Sequence, residues 1–217
     1  MGNFEVRILG VCGSPVKGGN TEVFLRKALE FAEREGVKVE LIRLADVEIK
    51  DCIHCNWCLT NQKEDDICAQ KDGMTEIYKK ILESDGILFA TPVYIRRMSG
   101  RMANLFDRLR AFEFGCYYRK RHPLKDKVAA ALAVSWRRHG GTETTLLTLN
   151  QSFLMFDMIV AGVGAAGFSS IDGIGKFDPS DKHLILKDEF ALKMAERTVK
   201  RMIELIRMVK KAKTKSE

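Results

Sequence analysis

No apolar run in this 217-residue sequence is long enough to cross a bilayer. The longest runs, GILFA at 86–90 and VAAALAV at 128–134, fall far short of the roughly 20 residues that a membrane-spanning helix needs. Residues 1–11 also lack the charged start and apolar stretch of a signal peptide. We therefore expect a cytoplasmic protein with no membrane partner. Its hydrophobic fraction of 46% is enough for a buried core, and its length suits a single domain over 1–217.

The sequence also lacks a nucleic-acid recognition motif, although its net charge is +7. The surplus of positive charge lies between Lys193 and Lys215, a stretch that contains nine Lys or Arg residues and two Glu residues. A basic stretch without interleaved aromatic residues is typical of a solvated helix face. We expect a basic C-terminal helix at about 188–212 and no specific nucleic-acid partner.

Cysteine is scarce, with six residues, yet four of them lie in one short stretch. CIHCNWC contains Cys52, Cys55 and Cys58 at two-residue spacing, and Cys68 follows after nine more residues. Cytosolic thiols are normally reduced, so such a group is more often metal-binding than disulfide-bonded. C-x2-C-x2-C is the spacing of ferredoxin-type loops, whereas structural zinc more often uses two separated pairs. The four cysteines are predicted to hold one 4Fe–4S cluster, with zinc or a disulfide as the alternatives.

The other two cysteines, Cys12 and Cys116, are isolated in the sequence. We predict that both are small core or surface thiols with no metal role.

The long gap before Cys68 is no obstacle to a shared cluster, because the entropy of loop closure grows only logarithmically with length.

Strand and helix patterns alternate along the chain. Short β-branched or apolar runs predict five strands, at 4–11, 37–44, 86–90, 128–134 and 158–163. Apolar residues at helical spacing predict five helices, at 21–35, 74–84, 99–112, 142–153 and 188–211. Residues 164–187 are expected to form a loop. The alternation predicts a parallel α/β sheet in one domain, with a cysteine-rich insertion at about 46–73.

Three loops that follow strands are the expected ligand loops, because ligands of open α/β sheets lie at the carboxyl ends of strands. In GSPVKGGNT (13–21), backbone N–H groups and the hydroxyls of Ser14 and Thr21 predict a phosphate cradle that is neither a Walker loop nor a dinucleotide loop. The second loop, TPVYIRRMSG (91–100), contains PVY (92–94), which offers a rigid wall for a planar ring. In SWRRHGGTE (135–143), adjacent glycines allow a ligand to approach the backbone. Taken singly, each loop also fits an ordinary turn or helix start.

The three loops in this order resemble the flavodoxin-like FMN reductase superfamily from residue 6 to about 143. The cysteine stretch between the second strand and the 74–84 helix resembles the iron–sulfur flavoprotein branch of that superfamily. The resemblance implies a flavodoxin-like, doubly wound, parallel five-stranded sheet in the order 2-1-3-4-5. It also implies FMN, with its phosphate in the first loop and its ring between the other two. The implied FMN-binding residues are Ser14, Pro15, Lys17, Gly19, Asn20, Thr21, Pro92, Val93, Tyr94, Ser135, Arg137, Gly140 and Gly141.

The predicted function is that of an FMN-dependent oxidoreductase that moves electrons from ferredoxin or NAD(P)H to an acceptor. FMN carries the chemistry, and the 4Fe–4S cluster converts electron pairs to single electrons. Arg96, Arg97, Arg137 and Arg138 are expected to attract an acidic partner. The resemblance also implies a homodimer or homotetramer. The alternatives are an NAD(P)H-dependent FMN or quinone reductase without a cluster, and a non-catalytic flavin-binding electron carrier.

Overall fold

Strands and helices alternate in the computed structural model, which describes residues 4–63, 66–119, 122–176 and 178–214. The strands are β1 (Arg7–Cys12), β2 (Lys38–Arg43), β3 (Gly86–Tyr94), β4 (Arg97–Met98), β5 (Val128–Ser135), β6 (Ile159–Val160) and β7 (Ala165–Phe168). The helices are α1 (Asn20–Arg34), α2 (Trp57–Thr60), α3 (Met74–Glu83), α4 (Gly100–Arg119), α5 (Thr142–Met155) and α6 (Glu189–Lys213). Short 3-10 turns span Leu44–Asp46 and Leu184–Lys187. The predicted α/β class is confirmed.

The central sheet has the order β2-β1-β3-β5-β6, with parallel pairing along this path. This order corresponds to the expected 2-1-3-4-5, but the sheet has seven strands rather than five. The two-residue β4 pairs antiparallel with the end of β3, and β7 is a second short neighbour of β5.

The expected fifth strand at 158–163 is wrong in its extent. The structure has two short strands here, β6 beside Val128 and Ala129 and β7 beside the later half of β5. Gly162 and Gly164 separate them with φ values of +81° and +92°. A positive φ is incompatible with extended strand geometry, so the chain leaves the sheet and returns. The expected loop at 164–187 accordingly contains β7 and a 3-10 turn.

Two apolar layers cover the two faces of the sheet. Ala129, Ala131 and Ala133 of β5 pack on the side of α3, α4 and α5. The intervening residues Ala130 and Leu132 face α1 and α6 on the other side. This alternation buries β5 on both faces, as is typical of a central parallel strand. The helices therefore hold the strands, and the loops at their carboxyl ends, in fixed positions.

The basic helix α6 is part of the core and not only a solvated tail. Ala195, Val199 and Met202 are buried against the sheet. Lys210 pairs with Asp85 at 2.8 Å, so part of the positive charge is used within the fold. Among the described helices, none has the length and apolar character needed to cross a membrane.

Candidate functional site

The three predicted ligand loops meet at one edge of the sheet. In the strand register, Cys12 at the end of β1 lies beside Ala90 of β3, and Ala90 lies beside Leu132 of β5. Because the strands are parallel, their carboxyl ends lie at the same edge of the sheet. The Ser99 hydroxyl, near the end of the second loop, donates to Gly13 O in the first loop at 2.8 Å. The second and third loops also touch, since a Cβ on Gly141 would lie 2.6 Å from Arg96 Cα. The loops thus form one continuous surface.

The first loop has the features of an anion cradle. The first hydrogen bond of α1 runs from Val23 N to Gly19 O at 3.0 Å. The preceding N–H groups at the start of the helix are therefore available to a ligand, and the helix dipole favours an anion there. Thr21 is only 3% exposed, and among the described residues its hydroxyl has no recorded partner. Ser14 is also buried, and its Oγ accepts a bond from Val16 N at 3.2 Å.

Glu22 shapes this loop and was missed by the sequence reasoning. Its carboxylate accepts a hydrogen bond from Gly18 N at 2.8 Å and pairs with Arg26 at 2.7 Å and Arg43 at 2.9 Å. Burial disfavours the charged form of Glu22, but these three partners outweigh it and hold its pKa below the ordinary value. The Glu22 carboxylate beside this loop is therefore already balanced by two guanidiniums.

A segment between β7 and α6 is hydrogen-bonded to the same loop. Asn20 Oδ1 accepts from Ile185 N at 3.0 Å, and Asn20 Nδ2 donates to Lys182 O at 3.1 Å. His183 Nε2 donates to Gly18 O at 2.8 Å. The side chain of Asn20 is thus engaged within the protein, which leaves its backbone N–H as the group that can face a phosphate. Pro15 and Lys17 are exposed on the outer side of the loop.

The expected second loop is instead a tight hairpin, because β3 continues to Tyr94 and pairs with β4. Pro92 is buried and Val93 is half-buried, whereas Tyr94 is 47% exposed. Ile95 and Arg96 have φ values of +49° and +62°, and they join Tyr94 to Arg97 across the antiparallel pair. Two successive left-handed residues are typical of a type I′ turn, which usually contains Asn or Gly. A β-branched residue there is strained, and Ile95 is also 92% exposed.

The third loop requires its glycines. A Cβ on Gly140 would lie 2.7 Å from Arg137 O, and Gly141 has a φ of +105°. Ser135 is buried and its hydroxyl donates to Arg137 O at 2.8 Å, which closes the loop on itself. The glycines therefore allow the third loop to pack closely on itself and on the second loop.

The cysteine-rich segment lies on α4. Arg101, Asn104 and Arg108 share one face of this helix at spacings of three and four residues. Asn104 Nδ2 donates to Ile49 O at 2.9 Å, and Arg101 Nη1 donates to Leu44 O at 3.3 Å. These bonds attach the start of the segment to a helix that begins beside the ligand loops.

Arg108 joins the two ends of the cysteine-rich segment. Its Nη1 and Nη2 pair with Asp72 Oδ2 and Oδ1 at 2.6 and 3.1 Å, and the two side chains are 1% and 3% exposed. Nη1 also donates to Lys50 O at 2.7 Å. A buried bidentate pair of this kind is geometrically specific. Residues 50 and 72, on either side of the four cysteines, are therefore held together.

Three of the four thiols lie in one electrostatic environment. Arg110 Nη1 donates to Cys58 Sγ at 3.6 Å, and Arg108 Nη2 donates to Cys68 Sγ at 3.5 Å. Burial raises the pKa of Cys58, Arg110 opposes that change, and negative charge on Cys68 and Cys52 adds to it. Cys52 and Cys68 thus act on Cys58, while the Arg110 guanidinium favours the thiolate form of Cys58.

Cys55 is exposed, and none of the five described cysteines forms a disulfide. Within the described ranges, no three His, Cys, Asp or Glu side chains are placed to bind a metal ion. The donor types nevertheless suit a cluster, because the four thiols lie in one short segment and two of them, Cys58 and Cys68, receive guanidinium N–H groups. The Nε of Arg108 is also buried without an acceptor among the described residues. Asn56 is left-handed and precedes the helical Trp57, a backbone combination that favours anions.

Of the two isolated cysteines, Cys12 lies apart from this site, on the opposite face of the sheet. Cys12 is fully buried beneath the first ligand loop, as predicted, and burial raises its pKa to about 11. The side chain of Cys116 is outside the described residues.

The sequence matches the NADPH-dependent FMN reductase family over residues 6–172. The chain belongs to this family. It is 36% identical over 208 residues to an iron–sulfur flavoprotein of Methanocaldococcus jannaschii, covering 95% of this chain and all of the relative. An iron–sulfur flavoprotein of Methanosarcina thermophila is 31% identical over 210 residues, covering 97% of this chain and all of that protein.

Solved structures agree on the flavodoxin-like fold. RosB, crystallised with bound 8-demethyl-8-formylriboflavin-5'-phosphate, has a TM-score of 0.73 at 18% identity, covering 95% of this chain and 81% of RosB. The NAD(P)H:quinone oxidoreductase of Methanothermobacter marburgensis has a TM-score of 0.63 at 15% identity, covering 90% of this chain and 95% of the oxidoreductase. Family membership identifies the chain as a flavin-dependent oxidoreductase of the iron–sulfur flavoprotein branch, and it supports FMN as the flavin. A carrier without turnover is therefore not favoured.

Proposed function

We propose that this FMN reductase family member transfers electrons between a two-electron and a one-electron partner, using FMN and a 4Fe–4S cluster. Cys52, Cys55, Cys58 and Cys68 would hold the cluster. The observation that carries the proposal is the position of Cys58 and Cys68, whose sulfurs both receive N–H groups from α4. Flavin accepts electrons as a pair or singly, whereas the cluster accepts one at a time, so together they convert between the two.

In the proposed flavin site, the protein would bind FMN and orient its ring. The N–H groups at the start of α1 and the Thr21 hydroxyl would receive the phosphate. Pro92 and Tyr94 would lie on one side of the ring, and the backbone of Gly140 and Gly141 would lie on the other. Because the loops are braced by Ser99 and by the segment at 182–185, the cradle is formed before a ligand enters.

Helix α4 supports both sites. It begins at Gly100, directly after the Ser99 bond to the first loop, and its Arg108 lies against Cys68. Arg108 is nine positions after Ser99, which corresponds to about 14 Å along a helix axis. A rigid helix thus sets the spacing between the proposed flavin and cluster sites within one chain. We further propose a homodimer or homotetramer, in which a neighbouring chain offers another route for the electron.

The electron donor is proposed to be negatively charged, either a ferredoxin or the phosphates of NAD(P)H. Arg96 and Arg97 of the second loop and Arg137 and Arg138 of the third are all exposed beside the flavin loops. Part of this charge is also structural, since Arg138 lies 4.9 Å from the Phe168 ring centroid and donates to Asp172 O. Positive charge around a cleft accelerates the arrival of anionic partners.

Anaerobic purification, with iron, sulfide and flavin measured per chain, tests the proposal. We expect about four irons and one FMN. Cys58→Ala should lose the iron and keep FMN, because the flavin loops lie elsewhere. Cys68→Ala is the more demanding test, since Cys68 follows the long gap. Cys12→Ala is the matched control and should keep the iron.

If Cys68→Ala keeps four irons and an unchanged spectrum, another residue is the fourth ligand. Wild-type protein with zinc or no metal would contradict the cluster. In that case the second candidate applies, an NAD(P)H-dependent FMN or quinone reductase without a cluster. That candidate is supported by the match of residues 6–172 to the NADPH-dependent FMN reductase family. Flavin bands without broad cluster absorption would identify it.

A further inference from the structure

The two arginines that touch cysteine sulfurs differ in how their charge is balanced. Arg108 is neutralised by its bidentate pair with Asp72. For Arg110, no carboxylate lies within ion-pair distance among the described residues. Its Nη2 donates to the neutral Asn56 Oδ1 at 2.7 Å, and its Nη1 donates to Cys58 Sγ at 3.6 Å. Arg110 is therefore a source of net positive charge at the cysteine site.

Arg110 is also held in place. Its guanidinium carbon lies 4.4 Å from the centroid of the Phe114 ring, one turn further along α4. This cation–π contact and the bond to Asn56 fix the guanidinium from two sides. A charge that is fixed and half-buried is screened less by solvent than a mobile surface charge, so its effect on a neighbouring group is larger.

We propose that Arg110 raises the reduction potential of the cluster by donating to the Cys58 sulfur. This inference depends on the proposed function, because it requires a cluster on the four cysteines. Adding one electron, supplied by the reduced flavin, takes a four-thiolate 4Fe–4S cluster from a net charge of −2 to −3. No proton or bond needs to change in this step. A fixed cation beside one sulfur stabilises the more negative form more, so reduction becomes more favourable.

Arg110→Gln removes the charge and keeps a polar side chain, and Arg101→Gln is the matched control. Arg101 lies on the same helix and donates to Leu44 O, without a recorded sulfur contact. The midpoint potential of the cluster is measured in the anaerobic holoprotein by redox titration, followed by the EPR signal of the reduced cluster. We expect Arg110→Gln to lower the equilibrium constant for reduction about tenfold, which is about 59 mV for one electron. Arg101→Gln should change the midpoint potential by less than a third of that shift.

Two further variants separate charge from shape. Arg110→Lys keeps the charge and should lose less potential than Arg110→Gln. Asn56→Ala removes one anchor but keeps the guanidinium, and it should lower the potential less than Arg110→Gln does. Iron and FMN content should match the wild type in every variant.

Equal shifts in Arg110→Gln and Arg101→Gln would overturn the inference, because only distant charge would then matter. An unchanged potential in Arg110→Gln would overturn it as well. Loss of iron in Arg110→Gln would make Arg110 a residue that retains the cluster and would also overturn the tuning role. These results differ from failure of the proposed function, in which the wild-type protein itself contains no cluster.

Discussion

The buried pair of Arg108 and Asp72 leads to a strong prediction about stability. Arg108→Met leaves the Asp72 carboxylate buried without its guanidinium, and Asp72→Asn leaves the Arg108 charge buried without its carboxylate. Breaking such a pair by removing one partner typically costs about 3–5 kcal/mol. Asp72 would keep hydrogen bonds from Lys50 N at 2.8 Å and Met74 N at 3.1 Å. We therefore expect about 3 kcal/mol for Arg108→Met and a larger loss, about 5 kcal/mol, for Asp72→Asn.

The double variant should cost clearly less than the sum of the two single variants, because no unpaired charge then stays buried. Stability is measured by urea unfolding of anaerobic protein, where the midpoint should fall with little change in slope. For a chain of this size, a loss of 3–5 kcal/mol corresponds to roughly 6–20 °C in melting temperature. Glu30→Gln is the control, since its pair with Lys27 is half-exposed and should contribute at most about 1 kcal/mol.

The same pair predicts a dependence on pH. Burial raises the pKa of Asp72, but hydrogen bonds from Arg108, Lys50 and Met74 outweigh it and lower the pKa below its usual value. A lowered carboxyl pKa stabilises the fold above the unfolded value of about 3.9, and this stability is lost as the pH falls through the folded value. The gap between wild type and Arg108→Met should therefore narrow below about pH 4. Single variants no less stable than Glu30→Gln would refute the reasoning.

Three further predictions concern the ligand loops. Thr21→Val should weaken FMN binding by about 1.5–3 kcal/mol in a fluorescence titration, because it removes a hydroxyl that would bond the phosphate. Thr144→Val, at an exposed position, is the control and should leave the affinity unchanged. An unchanged affinity in Thr21→Val would mean that Thr21 is not part of the phosphate site. Ile95→Asn should stabilise the protein by about 1 kcal/mol, because Asn tolerates left-handed backbone, and an unchanged urea midpoint would contradict strain at Ile95. Reduction by an acidic donor should slow steeply as ionic strength rises, and a flat salt dependence would exclude steering by Arg96 and Arg137.

Strands β1, β2, β3 and β5 and helices α1, α3, α5 and α6 were predictable because their signals are local. The predicted helix at 99–112 ends too early, since α4 extends to Arg119, and the short α2 and β4 were not predicted. The predicted helix at 21–35 is found at Asn20–Arg34, and that at 74–84 is found at Met74–Glu83. Apolar periodicity and the flanking glycines are enough for this. The strand at 158–163 failed because Gly162 and Gly164 adopt positive φ, and a glycine in a sequence does not say which sign it takes.

The ligand loops could also be predicted, but their bracing could not. Asn20 and Ile185 are separated by 165 residues, as is the pair of Gly18 and His183. Glu22 shows only an ordinary Glu–Arg spacing to Arg26 in the sequence, while its contact with Arg43 depends on β2 lying beside β1. Contacts of this kind depend on sheet order, which short-range pattern does not determine.

The cysteine site shows where the limit of sequence reasoning falls. The spacing of Cys52, Cys55 and Cys58 is local, and it indicates the chemistry of the group that would bind. The energetics of that group depend on α4, since the Arg110 guanidinium reaches Cys58 from 52 residues away. A shift in potential comes from whichever charges the fold brings near the sulfurs. Relatives with the same cysteine spacing but a neutral residue at the position of Arg110 should therefore hold the same cluster at a lower potential.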